Sequence, residues 1–371
     1  MSDASTPTPP LNLAGAHVNL DDYGPGSTEQ VLIERRAKHL GLGMLFYHDP
    51  IQLVRGEGVW MFDADGKRYL DCYNNVPSVG HANPRVVEAM AAQAALLNTH
   101  TRYLHEAVVD YAEALTATLP DGLDVCVFVN SGTEANELAM RIARSVAGNN
   151  GTVAMENSYH GNSTLINELS LMAQPKSIRP DHVVGVDPPD QYRGALGPTA
   201  GAADYAALIG SALGELDERG QGVAAFLCDG IFDSHGGIAA PTGNLEQAYA
   251  HTRAAVGLSI ADEVQAGFAR TGPMWGFLHD HVAPDIVTFG KPAGNGFPLA
   301  GIITSHEILQ EFGRRNVYFN TFGGSPLASA VGTAVLAEIH DRDLCNQVAR
   351  VGDYLQFQLD ELATRYEVIG N

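Results

Sequence analysis

Positive charge is scarce in this sequence. Its 371 residues include 22 Lys and Arg against 43 Asp and Glu, which gives a formal net charge of -21 at pH 7. A chain of this charge is repelled by the phosphate backbone of nucleic acids and by anionic membrane surfaces. We therefore expect neither nucleic acid nor membrane among its partners.

Cysteine is scarce as well, with 4 residues in the whole chain. They lie far apart, at Cys72, Cys126, Cys228 and Cys345, and no two are spaced as Cys-x-x-Cys. This spacing predicts neither a disulfide framework nor a zinc site. No other metal-ligand pattern stands out, so we expect no metal.

Long apolar runs are also lacking. No stretch approaches the length that crosses a bilayer, and the N-terminal residues show no basic segment followed by an apolar one. The sequence thus predicts no secretory signal and no membrane span. A cytoplasmic protein fits this pattern best.

The sequence does contain a regular alternation of predicted strands and helices. Residues 1–28 are rich in Pro, Ser, Thr, Gly and Asp and are expected to form a flexible tail. In residues 29–75, the pattern around Asp65-Gly66 predicts a β-hairpin. Farther on, predicted helices (85–97, 105–118, 134–146) alternate with short apolar runs (125–130, 152–155, 224–229, 258–262, 285–289). This alternation predicts an α/β fold with a mostly parallel sheet, and two more helices are expected between residues 325 and 366.

A first candidate site lies where the run ending at Val129 meets a predicted helix, in Asn130-Ser131-Gly-Thr-Glu134. The N-terminus of a helix offers unpaired N–H groups and a positive dipole end, so this turn could hold a phosphate. Ser131 and Glu134 also have the spacing of a capping box, which would need no ligand. Taken alone, the pattern leaves both interpretations open.

A second candidate is Asp262, at the end of the run Leu258–Asp262. In an open α/β sheet, the carboxyl ends of the strands form the edge where ligands bind. An acid there could bind magnesium, act as a base or pair with a cationic ring nitrogen. It could equally be the solvated end of a strand.

A third candidate is Lys291, which follows the run Asp285–Phe289 and enters a loop rich in Gly and Pro. A lysine that is partly shielded from water can act as a nucleophilic amine. An isolated lysine in a turn is more often a surface residue. The order of the three candidates along the chain is more informative than any one of them alone.

That order resembles the class III aminotransferase family, which consists of fold-type I enzymes dependent on pyridoxal phosphate (PLP). The resemblance extends from about residue 33 to the end of the sequence. It rests on these stretches: Ser131-Gly-Thr-Glu-Ala135, Tyr159-His-Gly161, Ala261-Asp-Glu-Val-Gln265 with Gly267-Phe-Ala-Arg-Thr-Gly272, Phe289-Gly-Lys-Pro292 and Asn320-Thr-Phe-Gly-Gly324.

The resemblance implies the fold-type I PLP-dependent transferase fold, an α/β class with a large domain around a mostly parallel sheet and a smaller α+β domain. Residues 29–75 would form the N-terminal part of the small domain and residues 76–325 the large PLP-binding domain. Residues 326–371 would begin the C-terminal part of the small domain, which we expect to be incomplete in this chain.

The resemblance also implies roles for the site residues. Asp262 would keep the ring nitrogen of PLP protonated, and Lys291 would bind the cofactor as a Schiff base and later move a proton at the reacting carbon. Ser131, Gly132 and Thr133 would bind its phosphate.

Five further residues complete the cofactor site that the resemblance implies. Tyr159, followed by His160 in the same motif, would stack on one ring face, with Val264 on the other. Gln265 would hydrogen-bond the ring hydroxyl. Thr321 would reach the cofactor phosphate of a neighbouring subunit, which implies a homodimer.

Within the family, the segments Leu70–Val76, Val79–His81 and Leu97–His105 look most like ethanolamine-phosphate phospho-lyases. Such enzymes eliminate phosphate and ammonia from a phosphorylated amino alcohol, through the Schiff base at Lys291 and a carbanion. Arg102 would then bind the substrate phosphate, or would be a salt-bridged structural residue. Many relatives have Glu-Pro where this chain has Asp229-Gly230, so substrate contacts there do not carry over.

Two other functions compete with the lyase. An omega-aminotransferase would pass an amino group from an amine to a keto acid and would need a site for a carboxylate. A fragment or degenerate homologue would keep the PLP site without activity. The complete set of cofactor motifs speaks against degeneracy, whereas the choice between lyase and aminotransferase stays open at this point.

Overall fold

The computed structural model describes residues 28–40, 45–47, 49–366, 368 and 369. By its internal contacts the chain divides into two compact units, Met1–Cys72 and Tyr73–Asn371. The predicted tail, apart from Thr28, lies outside the described residues. The predicted domain boundaries after residues 28, 75 and 325 stay predictions.

The first unit contains a helix and a small antiparallel sheet. Its elements are α1 (Thr28–Leu40), β1 (Leu53–Glu57), β2 (Trp60–Asp63) and β3 (Arg68–Leu70), with the strands in the order β1-β2-β3. The predicted hairpin is confirmed, because Trp60 pairs with Leu70 across β2 and β3. Gly66 occupies the turn at a φ of 83°, a left-handed conformation that suits glycine, and the Asp63 carboxylate accepts the Lys67 N–H at 2.8 Å.

The second unit is built around a seven-stranded sheet. Its strands are β4 (Val125–Val129), β5 (Gly151–Met155), β6 (Val183–Val186), β7 (Val223–Cys228), β8 (Leu258–Asp262), β9 (Ile286–Phe289) and β10 (Ala300–Thr304). They lie in the order β4-β10-β9-β8-β7-β5-β6. Strand β10 is antiparallel to both β4 and β9, and the other pairs are parallel, so the predicted mostly parallel sheet is confirmed.

Helices cover both faces of this sheet. They are α2 (Pro84–Ala94), α3 (Glu106–Thr116), α4 (Gly132–Ala147), α5 (Thr164–Leu169), α6 (Ala202–Glu218), α7 (Asn244–Ala254), α8 (His306–Arg315), α9 (Pro326–Asp341) and α10 (Leu344–Ala363). The predicted elements are present, with ends that differ by up to a few residues. Helix α4 begins two residues earlier than predicted, at Gly132, because the Ser131 side chain caps it.

The core has two layers because successive strand residues point to opposite faces of the sheet. On one face, Phe226 and Val287 belong to a cluster that includes residues of α6, α7 and α9. On the other face, Leu227 and Ile286 pack in a cluster with α4. The continuous apolar runs in the sequence are therefore strands buried on both faces.

The carboxyl ends of the three central strands meet at one edge of this sheet. Asp229 follows β7, Asp262 ends β8, and Lys291 lies two residues after the end of β9. This edge is where open α/β sheets bind ligands. Among the described residues, no helix is long and apolar enough to cross a membrane, and no group of three or more His, Cys, Asp or Glu side chains is arranged to hold a metal ion.

Candidate functional site

A pocket opens at this edge of the sheet, between the start of α4 and the loop after β9. Its lining residues are Ser131, Gly132, Thr133, Asn136, Tyr159, His160, Gly161, Asp229, Asp233, Ser234, Asp262, Val264, Gln265 and Lys291. The pocket therefore brings together every residue that the sequence predicted for the cofactor, with the exception of Thr321. Two further predicted site residues, Arg102 and Thr321, do not line it.

The start of α4 forms one wall of the pocket. The Ser131 Oγ accepts the N–H of Glu134 at 3.2 Å, and the Glu134 carboxylate turns back to accept the N–H of Asn130 at 3.0 Å. The N–H groups of the first helical turn have no partner inside the helix, and the dipole there is positive. Capping and anion binding, the two interpretations of this sequence, are thus compatible.

Gly132 lets the backbone at this helix start approach the rest of the pocket closely. A Cβ atom built at this position would lie 2.7 Å from a methyl group of Val264. Any side chain at position 132 would therefore displace Val264 or the helix start. The absence of a Cβ keeps the N–H groups accessible from the pocket.

Asp262 lies at the base of the pocket and is 5% exposed. Its Oδ2 lies 2.7 Å from Nδ1 of His160 and accepts the side-chain N–H of Asn136 at 2.8 Å. A carboxylate only accepts hydrogen bonds, so the hydrogen of His160 resides on Nδ1. Thr288 in turn donates its hydroxyl to Oδ1 of Asn136 at 2.7 Å. This network fixes the direction in which the carboxylate points.

Asn136 and Thr288 were missed in the sequence. Asn136 stands one helical turn beyond the recognised Ser131-Gly-Thr motif, and nothing in its own neighbourhood marks it as polar and buried. Thr288 is the single polar residue of the buried strand β9. Their contact with Asp262 depends on how α4 packs across β8 and β9, which a local pattern does not reveal.

The neighbouring acid, Glu263, points away from the pocket and serves the structure. It is fully buried and accepts the backbone N–H groups of Gly276 at 2.6 Å and Phe277 at 3.0 Å. Burial raises the pKa of Glu263 to about 7, against the opposing effect of these two hydrogen bonds. The two adjacent acids at the end of β8 therefore have different roles.

Lys291 is held by a constrained loop. Its φ of 24° is unusual for a residue with a side chain and indicates local strain. The loop is fastened at Pro292, whose carbonyl accepts the Ser78 hydroxyl at 3.2 Å, and at Asn295, whose Oδ1 accepts the Val79 N–H at 3.0 Å. These two hydrogen bonds fasten the loop at the carboxyl end of β9, and so they fix the position of the Lys291 amine.

Tyr159 and Gln265 also line the pocket. Tyr159 is 48% exposed, so its ring is open to a ligand, whereas Val264 is 8% exposed. Gln265 accepts the side-chain N–H of Asn75 through Oε1 at 2.7 Å, and Arg270 donates to the Asn75 carbonyl at 2.7 Å. This chain of hydrogen bonds holds Gln265 in place at the pocket.

A pair of acids, Asp229 and Asp233, lines the pocket as well. Asp229 is 6% exposed and accepts the N–H groups of Ile231 at 3.0 Å and Asp233 at 2.9 Å. Burial raises the pKa of Asp229 well above its usual range, and the hydrogen bond and charge of Asp233 raise it further. Burial acts in the same direction on Asp233, but the hydrogen bond from Asp229 and the charge of Lys291 together lower its pKa.

Arg102 and Thr321 lie outside this pocket, on two adjoining loops. The Arg102 guanidinium lies 3.9 Å from the ring centroid of Phe319, two residues before Thr321, and both Arg102 and Thr321 are exposed. The structure therefore does not bring Arg102 to the pocket of its own chain. Its predicted contact with a substrate phosphate and the predicted contact of Thr321 with a neighbouring subunit stay predictions.

The donor set of the pocket fits PLP. The helix start with Gly132 provides a positive cradle for a phosphate, and the Asp262 carboxylate can hold a protonated ring nitrogen. Lys291 supplies the primary amine that an aldehyde needs. Because these three groups line one pocket, a single molecule that carries phosphate, pyridine nitrogen and aldehyde can meet all of them.

Comparisons with known proteins agree with this arrangement. Residues 47–371 match the family model described as aminotransferase class-III. An alanine–glyoxylate aminotransferase 2-like protein of Drosophila melanogaster is 41% identical over 351 residues, which are 91% of this chain and 71% of that protein.

Two solved structures are also similar. A phospholyase from Arthrobacter in complex with phosphoethanolamine is 43% identical with a TM-score of 0.85, and the match covers 90% of this chain and 80% of that one. A taurine:2-oxoglutarate aminotransferase from Bifidobacterium kashiwanohense, in complex with PLP and glutamate, is 26% identical with a TM-score of 0.80 over 92% of this chain and 79% of its own. The chain belongs to the class III aminotransferase family and is a PLP-dependent enzyme.

Proposed function

We propose that this chain is a phospho-lyase that eliminates phosphate and ammonia from a phosphorylated amino alcohol such as ethanolamine phosphate. The observation that carries the proposal is the 43% identity to a phospholyase that was solved in complex with phosphoethanolamine. The match covers 90% of this chain. Family membership alone would leave the reaction open.

The cofactor would be held by the residues that line the pocket. Ser131, Gly132 and Thr133, at the start of α4, would bind the phosphate of PLP through backbone and hydroxyl groups. Asp262 would pair with the ring nitrogen, in a direction set by His160 and Asn136. Hydrogen bonds from neighbouring side chains such as these fix the orientation of a functional carboxylate.

The ring of the cofactor would lie between Tyr159 and Val264. Tyr159 is open to the pocket and offers an aromatic face, while Val264 is packed against the helix start at Gly132. Gln265, held by Asn75, would hydrogen-bond the ring hydroxyl. When bound, PLP supplies an electron sink that stabilises negative charge on the carbon next to the substrate nitrogen.

Lys291 would perform the proton chemistry of the reaction. As a neutral amine, its Nζ takes the proton from the carbon that carries the substrate nitrogen. The electron pair of that C–H bond forms a double bond to the next carbon, and the C–O bond breaks so that phosphate leaves with its electrons. The released two-carbon enamine takes up a proton on carbon to become the imine, and hydrolysis of the imine yields acetaldehyde and ammonia.

An aminotransferase is the second candidate function, and a specific observation favours it. The Drosophila melanogaster relative, 41% identical, is an alanine–glyoxylate aminotransferase 2-like protein. Both reactions begin with the removal of the same proton. They diverge afterwards, because a phosphate on the next carbon can depart, whereas a substrate without it is protonated again and passes its amino group to a keto acid.

The experiment is a product analysis of the PLP-loaded protein with ethanolamine phosphate and no keto acid. We expect inorganic phosphate, ammonia and acetaldehyde in equal amounts, and none of them with the matched Lys291→Ala variant. No phosphate release, combined with amino transfer once pyruvate or glyoxylate is added, would contradict the lyase and establish the aminotransferase.

A homodimer is part of the proposal, with Thr321 reaching the cofactor phosphate of the partner subunit. Thr321 lies outside the pocket of its own chain, in a loop where Phe319 and Phe322 are 42% and 73% exposed. Sedimentation analysis should show a dimer, and Thr321→Ala should weaken the binding of PLP. A monomer that retains full PLP affinity would contradict this arrangement. The cytoplasmic location also stays a prediction.

A further inference from the structure

The acids Asp229 and Asp233 are charged groups of the pocket that the reaction described above does not use. Both line the pocket together with Lys291. The Asp229 carboxyl group accepts the backbone N–H of Asp233 at 2.9 Å, so the two acids are immediate neighbours. Two carboxyl groups that share a site repel each other when both are ionised, so the pKa of one of them is strongly raised. The pair therefore bears one negative charge.

The structure indicates which of the two carries that charge. Asp229 is buried at the end of β7, and its pKa is raised, so it is the protonated member. Asp233 accepts the N–H of Ser234 at 2.7 Å and its hydroxyl at 3.1 Å, and it feels the positive charge of Lys291. The negative charge thus resides on Asp233, which lines the same pocket as the reactive amine of Lys291.

We propose that Asp233 is a specificity-determining residue that rejects substrates with a carboxylate on the carbon bearing the reacting nitrogen. That carbon must come next to Lys291 Nζ, because Lys291 removes its proton. A carboxylate on that carbon would enter the pocket that Asp233 lines, and the repulsion between two like charges in a partly buried site lowers affinity several-fold to many-fold. This inference rests on the proposed role of Lys291 in reacting with the substrate amine.

The proposed substrate class satisfies this restriction. In ethanolamine phosphate, the carbon bearing the nitrogen carries two hydrogens and no anionic group. The phosphate is attached through oxygen to the next carbon. In an α-amino acid such as alanine, a carboxylate is attached to that carbon. Asp233 would therefore admit amines whose anionic group is remote and exclude α-amino acids as amine substrates.

A matched pair of small ligands isolates the effect. Ethylamine and L-alanine share a two-carbon amine skeleton and differ by the carboxylate on the carbon bearing the nitrogen. Each can be titrated into the PLP-loaded protein while the visible absorption of the cofactor reports binding. The measured quantity is the ratio of the two dissociation constants, alanine over ethylamine. Neither ligand contains phosphate, so the result does not depend on phosphate release.

We expect Asp233→Asn to lower this ratio by about tenfold or more, because the repulsion is removed while the side-chain volume is kept. Asp233→Glu, which retains the charge, should keep a high ratio. Asp229→Asn should also keep it, since the charge stays on Asp233. The control is Asp217→Asn, an exposed residue of α6 that does not line the pocket, which should leave the ratio unchanged.

An unchanged ratio in Asp233→Asn would overturn the inference. If that variant fails to bind PLP, Asp233→Ser provides a second neutral replacement with the same expected drop. A wild-type protein that binds alanine as tightly as ethylamine would overturn the inference without any variant. Absence of phosphate release from ethanolamine phosphate would contradict the lyase proposal alone, so the two failures can be told apart.

Discussion

Glu263 should make the stability of this protein depend on pH in a way that one substitution removes. Burial raises the pKa of this carboxyl from 4.5 to about 7. An acid with a higher pKa in the folded state holds its proton more tightly there, so the folded state is favoured at low pH and loses stability as pH rises through this window. A shift of this size corresponds to a loss of about 3 kcal/mol in the free energy of unfolding above pH 7.

The substitution Glu263→Gln keeps the shape of the side chain, but it replaces the carboxyl group by an amide that does not ionise. The new amide can accept only through its oxygen, so one of the N–H groups of Gly276 and Phe277 loses its acceptor. A buried N–H without a partner costs about 1–3 kcal/mol, which should make the variant less stable than the wild type at pH 5. At pH 9 the wild type has lost its own contribution, so the difference should shrink or change sign.

The assay is urea-induced unfolding of both proteins at a series of pH values from 5 to 9. The free energy of the wild type minus that of Glu263→Gln should fall by about 2–3 kcal/mol over this range. Ionisation of other groups is common to both proteins and cancels in the difference. A difference that stays constant with pH would refute the assignment of the raised pKa to Glu263.

The remaining predictions concern the pocket. Gly132→Ala places a Cβ 2.7 Å from Val264, so we expect the PLP dissociation constant to rise about tenfold or more, while circular dichroism shows a retained fold; an unaltered PLP affinity would argue against the phosphate cradle. Asp262→Asn would remove the charge that is proposed to keep the ring nitrogen protonated, so steady-state kinetics should show kcat reduced by roughly two orders of magnitude or more. Near-normal turnover would contradict this role of Asp262. Arg102→Ala should raise the KM for ethanolamine phosphate about tenfold, and an equal KM in variant and wild type would remove Arg102 from the substrate site.

Much of the candidate site could be predicted because its residues follow the ends of strands. Asp262 and Lys291 come directly after apolar runs, and the Ser131-Gly-Thr turn leads from a run into a helix. In a mostly parallel sheet these positions converge on one edge, whatever the order of the strands. The local sequence therefore predicts both the residue type and its position at the ligand-binding edge of the sheet.

Other parts of the site depend on packing between distant segments. The bond from Asn136 to Asp262 spans 126 residues of sequence, and no local pattern in α4 reveals it. The presence of Asp233 in the pocket that Lys291 lines depends on the loop after β7. The antiparallel placement of β10 between β4 and β9 was not predicted either, because an apolar run does not specify its direction.

Arg102 marks the limit of inference from a motif. Its segment resembles one branch of the family, but the motif does not say which pocket the guanidinium reaches. In the structure it lies over Phe319, beside the loop that carries Thr321. In the proposed dimer Thr321 would act at the site of the partner subunit, and such a contact is invisible in the sequence of one chain.

The most direct test of the whole account is the chemical identity of the residue that binds PLP. Reduction of the PLP-loaded protein with borohydride should fix the cofactor to its lysine, and peptide mass spectrometry then locates it. The account predicts the modification at Lys291, together with loss of the visible band in Lys291→Ala. Modification of another lysine, or a visible band that survives in Lys291→Ala, would contradict the placement of the active site in this pocket.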